Sequence, residues 1–147
     1  GGEEIATTTR GDLDEKSDPQ GGEKEFDKAI FDAEAFSQRI GDEALMRELI
    51  LIFEEEMEAM WVSLQKAEER QDMKTIYESA HRLKGLVGNF CARRAWEYAT
   101  KLNAQGKKGS HGDDVSESVE GFERELRLLE SSLCDFRENL ENKANSL

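Results

Sequence analysis

Val115 to Leu140 reads VSESVEGFERELRLLESSLCDFRENL. Its apolar residues Val115, Val119, Phe122, Leu126, Leu129, Leu133, Phe136 and Leu140 recur in alternating steps of four and three through seven intervals. At about 3.6 residues per turn, that spacing gathers the apolar side chains into one stripe and leaves charged residues on the remaining faces. The pattern is that of a helix packed against partners along its whole length. Asp114 with Glu117 three residues on forms a capping-box-like start.

The same rhythm recurs upstream. Met46, Ile50, Phe53, Met57, Met60 and Leu64, widened by Leu49 and Trp61, predict a long helix from an Asp42 cap to about Gln71. The methionines on this stripe are read as core filling. Asp32 is placed to cap a short helix over about Ala33 to Ile40, with Phe36 and Ile40 covering one end of the fold and Gly41 stopping it. Asp72 caps another helix that ends near Gly88 and Asn89, where Phe90 plugs the core. A fourth long helix, about Ala92 to Gln105, is expected to bury Ala92, Ala95, Trp96, Ala99 and Leu102. Gly106 closes it, and Lys107 to Gly112 follows as a mobile turn. Four long helices joined by short connections predict an all-α fold: an antiparallel up-and-down four-helix bundle with a short extra N-terminal helix. The alanines and glycines of the middle helices would make poor coiled-coil partners, so a monomer is expected.

The 147 residues suffice for one domain with a sizeable core. Residues 1–30 carry almost nothing apolar and are expected to form a flexible N-terminal tail or linker, with the helical domain over residues 31–147. In a longer natural chain, the tail would link the bundle to preceding domains. A net charge of -13 argues against binding nucleic acid or an anionic membrane surface. No run approaches the roughly 20 apolar residues of a membrane span, and no signal peptide is recognisable, so a cytoplasmic location is expected. Cys91 and Cys134 are too few for a disulfide framework and have no metal-ligand spacing.

Against this acidic background, residues 81–108 hold Arg82, Lys84, Arg93, Arg94, Lys101, Lys107 and Lys108 with Glu97 as the lone acid, a local balance of +6. At the head of that basic island lies Ala80 to Gly88, AHRLKGLVG. Wound as a helix, it puts Ile76, Ala80, Leu83 and Val87 on a core stripe and turns His81, Gly85 and Gly88 outward, with Lys84 on the flank. Each interior glycine costs on the order of 1 kcal/mol relative to alanine. Something besides helix stability must favour them, and a bald face beside an imidazole admits another protein's backbone.

His81, Leu83, Lys84, Gly85 and Gly88, preceded by Ala80, resemble the H-x-L-K-G-x-x-G signature of histidine-containing phosphotransfer (HPt) domains. The resemblance extends over most of Phe31 to Leu140. It implies a carrier that accepts a phosphoryl group on His81 from a receiver-domain aspartate and passes it to another response regulator, through Nε2 of the ring. Lys84 would stabilise the phosphoryl oxygens, and Arg82, Gly85 and Gly88 would dock the partner. By alignment, Asn103 and Lys107 fall where some members place residues that approach the histidine. The implied partners are receiver domains and a histidine or hybrid sensor kinase. No cofactor is expected in this chain, the divalent metal belonging to the receiver. The chain departs from many relatives at Leu86 and Val87, where they have small residues, and at Cys91, where they have glycine. Chemotaxis-kinase phosphotransfer domains share the motif but carry a glutamate where Thr100 stands, which favours the relay carrier over a kinase's substrate domain. A helical adaptor without phosphorylation is the remaining alternative. His111, in a KKGSHG loop, reads as an ordinary surface histidine. No nucleotide-binding loop, metal cluster or convergent acid pair supports an enzyme with its own turnover.

Overall fold

A computed structural model describes residues 28–145, so the tail expected at residues 1–30 lies outside the described residues as far as position 27. Residues 28–30 are helical, and Ile30 and Phe31 are both buried, so the folded body already includes the end of that segment. Phe31 is held edge-on by Phe36 and Phe136, at ring-centroid distances of 5.6 and 5.3 Å.

Helices α1 (Ala33–Ile40), α2 (Glu43–Glu69), α3 (Met73–Gly88), α4 (Arg93–Lys108) and α5 (Asp113–Asn145) follow, and no strand occurs among the described residues. Three starts are set by aspartates whose carboxylates take up amide protons left free in a first turn. Asp32 accepts from Ala35 N at 3.0 Å, Asp42 from Ala44 N at 2.8 Å, and Asp72 from Thr75 N at 3.2 Å. Gly41 ends α1 in the left-handed region at φ 79°. Gly106, expected to close α4, lies inside it. The helix runs on through Lys107 and Lys108 to Gly109, which supplies the left-handed cap at φ 82°. At the start of α5, Val115 N and Ser116 N bond Gly112 O, which places Asp114 within the first turn and not at the cap.

The connections at residues 70–72, 89–92 and 109–112 are too short for anything but antiparallel neighbours. α2 and α4 each pack on both α3 and α5, which makes a four-helix bundle, and α1 packs on α2 at one end. Arg39 of α1 donates to Gly88 O at 3.1 Å, satisfying a carbonyl at the C-terminal end of α3 and fastening α1 over it. Phe90 is buried in the α3–α4 connection between Phe36 and Phe53, at centroid distances of 5.2 and 5.3 Å, as its plugging role requires.

Along α2 the buried stripe is Met46, Ile50, Phe53, Met57, Trp61 and Leu64. Trp61 takes the place expected for Met60, which is only partly buried. Strict four-three alternation has a period of 3.5, and the helix advances at about 3.6, so an additional step of four keeps the stripe facing the core. The α4 stripe is Ala95, Ala99, Leu102 and Gly106. Trp96, expected among the buried residues, is 40% exposed. Alanines and a glycine bring α4 close to α3 and leave no room for an indole between them. A Cβ on Gly106 would stand 2.8 Å from both Cα and N of Tyr77.

Candidate functional site: the outer face of α3

α3 buries Ile76, Ala80, Leu83 and Val87 and presents His81 and Gly85 to solvent, as the spacing predicts, with Arg82 exposed beside them, whereas Gly88, expected on the same bare face, is half-buried. A Cβ on Gly85 would meet nothing within 4 Å, so the surface one turn beyond the imidazole is open. The His81 ring lies parallel to that of Tyr77, one turn earlier, with centroids 6.2 Å apart and planes 16° from parallel. No hydrogen bond or ion pair holds the His81 imidazole among the described residues. An exposed, unbonded imidazole is free to act as a nucleophile.

α4 flanks this face. Asn103 donates from Nδ2 to Tyr77 O at 3.2 Å, and Gly106 abuts the Tyr77 backbone. At the other end, the Lys84 ammonium sits 5.4 Å from the centroid of Trp96, and a Cβ added at Gly88 would meet the same indole at an ordinary contact distance. A cation over an indole face is held electrostatically, so the exposed Trp96 restrains Lys84 on the rim of the site. In this antiparallel register, the residues of α4 level with His81 fall between those two contacts, around Ala99 to Lys101. Lys107 lies past Tyr77, away from the imidazole. Thr100, in the level stretch, has a buried hydroxyl with no hydrogen-bond partner.

The basic island divides in two. Arg94 is turned inward and meets the buried Glu125 of α5 at 2.6 Å, and Arg93 pairs with Glu97 at 3.5 Å. Arg82, Lys101, Lys107 and Lys108 remain exposed with no ion pair among the described residues. Arg82 on α3 and the three lysines of α4 thus carry positive charge at the solvent surface. His111 is less idle than its loop suggests: its Nε2 lies 3.1 Å from Glu68 Oε2, which also accepts from Ser116 Oγ at 2.8 Å, tying residues 109–112 to the end of α2. Cys91 has φ 54°, a left-handed conformation that favours glycine.

The Hpt domain family model matches residues 48–142, well over half of the chain, and takes in all of α3 and α4. The chain belongs to the Hpt domain family. Hpt domains are histidine-containing phosphotransfer carriers of phosphorelays, and they work with receiver domains and kinases as carriers in place of catalysts. No curated protein and no solved structure matches the chain. No group of three or more His, Cys, Asp and Glu able to hold a metal occurs among the described residues, and no helix there is long and apolar enough to cross a membrane.

Two residues that shape this Hpt face escape the sequence reading. Tyr77 lies four residues before His81, the spacing at which helical side chains meet, and that was the available signal. Gly106 offered none, since a packing glycine and a capping glycine look alike in a sequence.

Proposed function

We propose that His81 carries the phosphoryl group, receiving it from the aspartyl phosphate of one receiver domain and delivering it to the aspartate of another. The observation that supports this most directly is the exposure of His81 on a helix face left bare at Gly85, inside the span matched to the Hpt domain. In the forward step, the lone pair of the unprotonated ring nitrogen forms the N–P bond. The acyl P–O bond breaks, and its electron pair leaves on the receiver's carboxylate. The proton on the other ring nitrogen stays until water takes it. Such a transfer has a loose transition state with charge spread over the phosphoryl oxygens, so catalysis is mostly positioning and electrostatics. Lys84 supplies a positive charge one turn from His81 and the receiver supplies its own divalent metal. This chain contributes no cofactor. Arg82, Gly85 and Gly88 form the docking surface, with Asn103 bordering it, and the exposed basic residues, Lys107 among them, steer an acidic receiver pocket toward it. The carrier acts in the cytoplasm as a monomer.

The test is incubation with a phosphorylated receiver, following label that is stable to base and lost in acid. Transfer that disappears in His81→Gln supports the carrier. Binding of the receiver without transfer would make the domain an adaptor and sink the proposal. Gly88→Arg should weaken receiver docking at nearly unchanged or raised stability, because a Cβ there meets only the Trp96 indole, at ordinary contact distance.

A further inference from the structure

The geometry points to Tyr77 as a positioning residue for the proposed phosphoacceptor: held from α4 by Asn103 and Gly106, it fixes the plane of the His81 ring. This rests on the reading of His81 as the phosphoryl carrier.

Three independent contacts converge on Tyr77. Its ring lies 16° from parallel to the imidazole at 6.2 Å, which is offset stacking between residues one turn apart. Its carbonyl accepts from Asn103 Nδ2 at 3.2 Å. In the helical pattern, that same carbonyl is the one to which the His81 amide points, so the α4 amide side chain reaches the very turn that carries the imidazole. Its backbone is also approached by Gly106 so closely that an added Cβ would lie 2.8 Å from Cα and N. Tyr77 therefore cannot slide along or away from α4 without losing these contacts, whereas the imidazole has no hydrogen bond of its own to choose an orientation. A histidine with free χ1 and χ2 rotation would present its reacting nitrogen only part of the time. Stacked on Tyr77, the ring keeps one plane. Tyr77 itself remains 36% exposed, so it guides the ring without burying it.

Freezing one side chain is worth about a three- to tenfold change in rate. Tyr77→Leu should accordingly slow phosphorylation of His81 about three- to tenfold at saturating donor, while half-saturation by the receiver stays unchanged. The small donor phosphoramidate should show the same slowing, because ring orientation matters to any donor. Tyr77→Phe, which keeps the ring, should restore both rates. In NMR spectra of the unphosphorylated protein, the ring-current displacement of the His81 carbon-bound ring protons should persist in Tyr77→Phe and vanish in Tyr77→Leu. Slowing with the receiver alone, at unchanged phosphoramidate labelling, would overturn the inference and make Tyr77 a docking contact. His81 ring shifts that ignore Tyr77→Leu would overturn it as well. If the wild-type protein exchanges phosphoryl groups with no receiver, the carrier reading fails by itself, and the phosphoramidate and NMR results still decide whether Tyr77 orients the ring.

Discussion

The same substitution should have opposite effects at two glycines only 21 positions apart. At Gly106, a methyl group would stand 2.8 Å from Tyr77 Cα and N and 2.9 Å from its Cβ, where ordinary van der Waals contact begins near 3.4 Å. The shortfall of roughly 0.6 Å falls on backbone atoms, which cannot rotate aside, so α3 and α4 must separate along their closest line of approach. Overpacking of this kind costs typically 1–3 kcal/mol, and an obstacle made of backbone puts Gly106→Ala toward the upper end. Alanine returns about 1 kcal/mol of helix propensity, leaving a net loss of about 1–2 kcal/mol. At Gly85 the methyl group meets nothing within 4 Å, so only the propensity gain of about 1 kcal/mol applies and the variant should be more stable than wild type. Urea denaturation followed by circular dichroism should separate the two alanine variants by about 2–3 kcal/mol at equal slope. Equal stabilities, or a stabilised Gly106→Ala, would refute the close approach of α4 to Tyr77 on which the geometry of the site depends.

Other substitutions test the frame that holds the site. Arg94→Met removes the guanidinium that meets Glu125 at 2.6 Å and leaves a carboxylate with a side chain only 3% exposed; a loss of about 3 kcal/mol in urea denaturation is expected, with recovery when Glu125 is replaced by Gln as well. Cys91→Gly relieves a left-handed backbone at φ 54°, worth roughly 1–2 kcal/mol, against a chain-entropy cost of roughly 0.5–1 kcal/mol, so thermal unfolding should move up by a few degrees. The Asp72 carboxyl is held below its usual range by hydrogen bonds from the Thr75 hydroxyl and then the Thr75 amide. A carboxyl with a lowered folded-state pKa stabilises the fold above its unfolded value near 3.8 and loses that contribution as pH falls through the lower folded value. Asp72→Asn keeps a good cap without a titrating group, so the drop in urea midpoint between neutral pH and pH values below that range should be smaller than in wild type.

How much of this was legible in the sequence depended on how local each signal is. Asp32, Asp42 and Asp72 each act on amides two or three residues away, and all three caps stand where the sequence put them. The outward turn of His81 and Gly85 is also local, because a helix repeats its faces every turn. Gly106 and Gly109 are three residues apart and identical in chemistry. Only the position of α3 shows that the first is for packing and the second for capping. Trp96 was assigned to the core on hydrophobicity, but an alanine and glycine interface has no space for it, and its indole covers Lys84 instead. Arg94 looked like one more cation of the surface patch. Its partner Glu125 lies 31 residues away on another helix, a pairing that no periodicity announces.

These long-range contacts share a consequence. α3 is secured from behind and from its ends: Gly106 lets α4 close on Tyr77, Arg39 takes the carbonyl of Gly88, and Arg94 ties α4 to Glu125 of α5. None of these contacts uses the solvent face around His81 and Gly85. That face can therefore stay bare without weakening the bundle, beyond the helix propensity forgone at its glycines. A carrier visited by two partners in turn needs this arrangement, because any contact stabilising the outer face from within would have to be broken at each visit. Exchange of side chains at Arg82 or Gly85 should then alter which receivers dock, and how tightly, while the unfolding free energy moves by no more than the propensity terms. Substitutions at Gly106 or Arg94 should do the reverse.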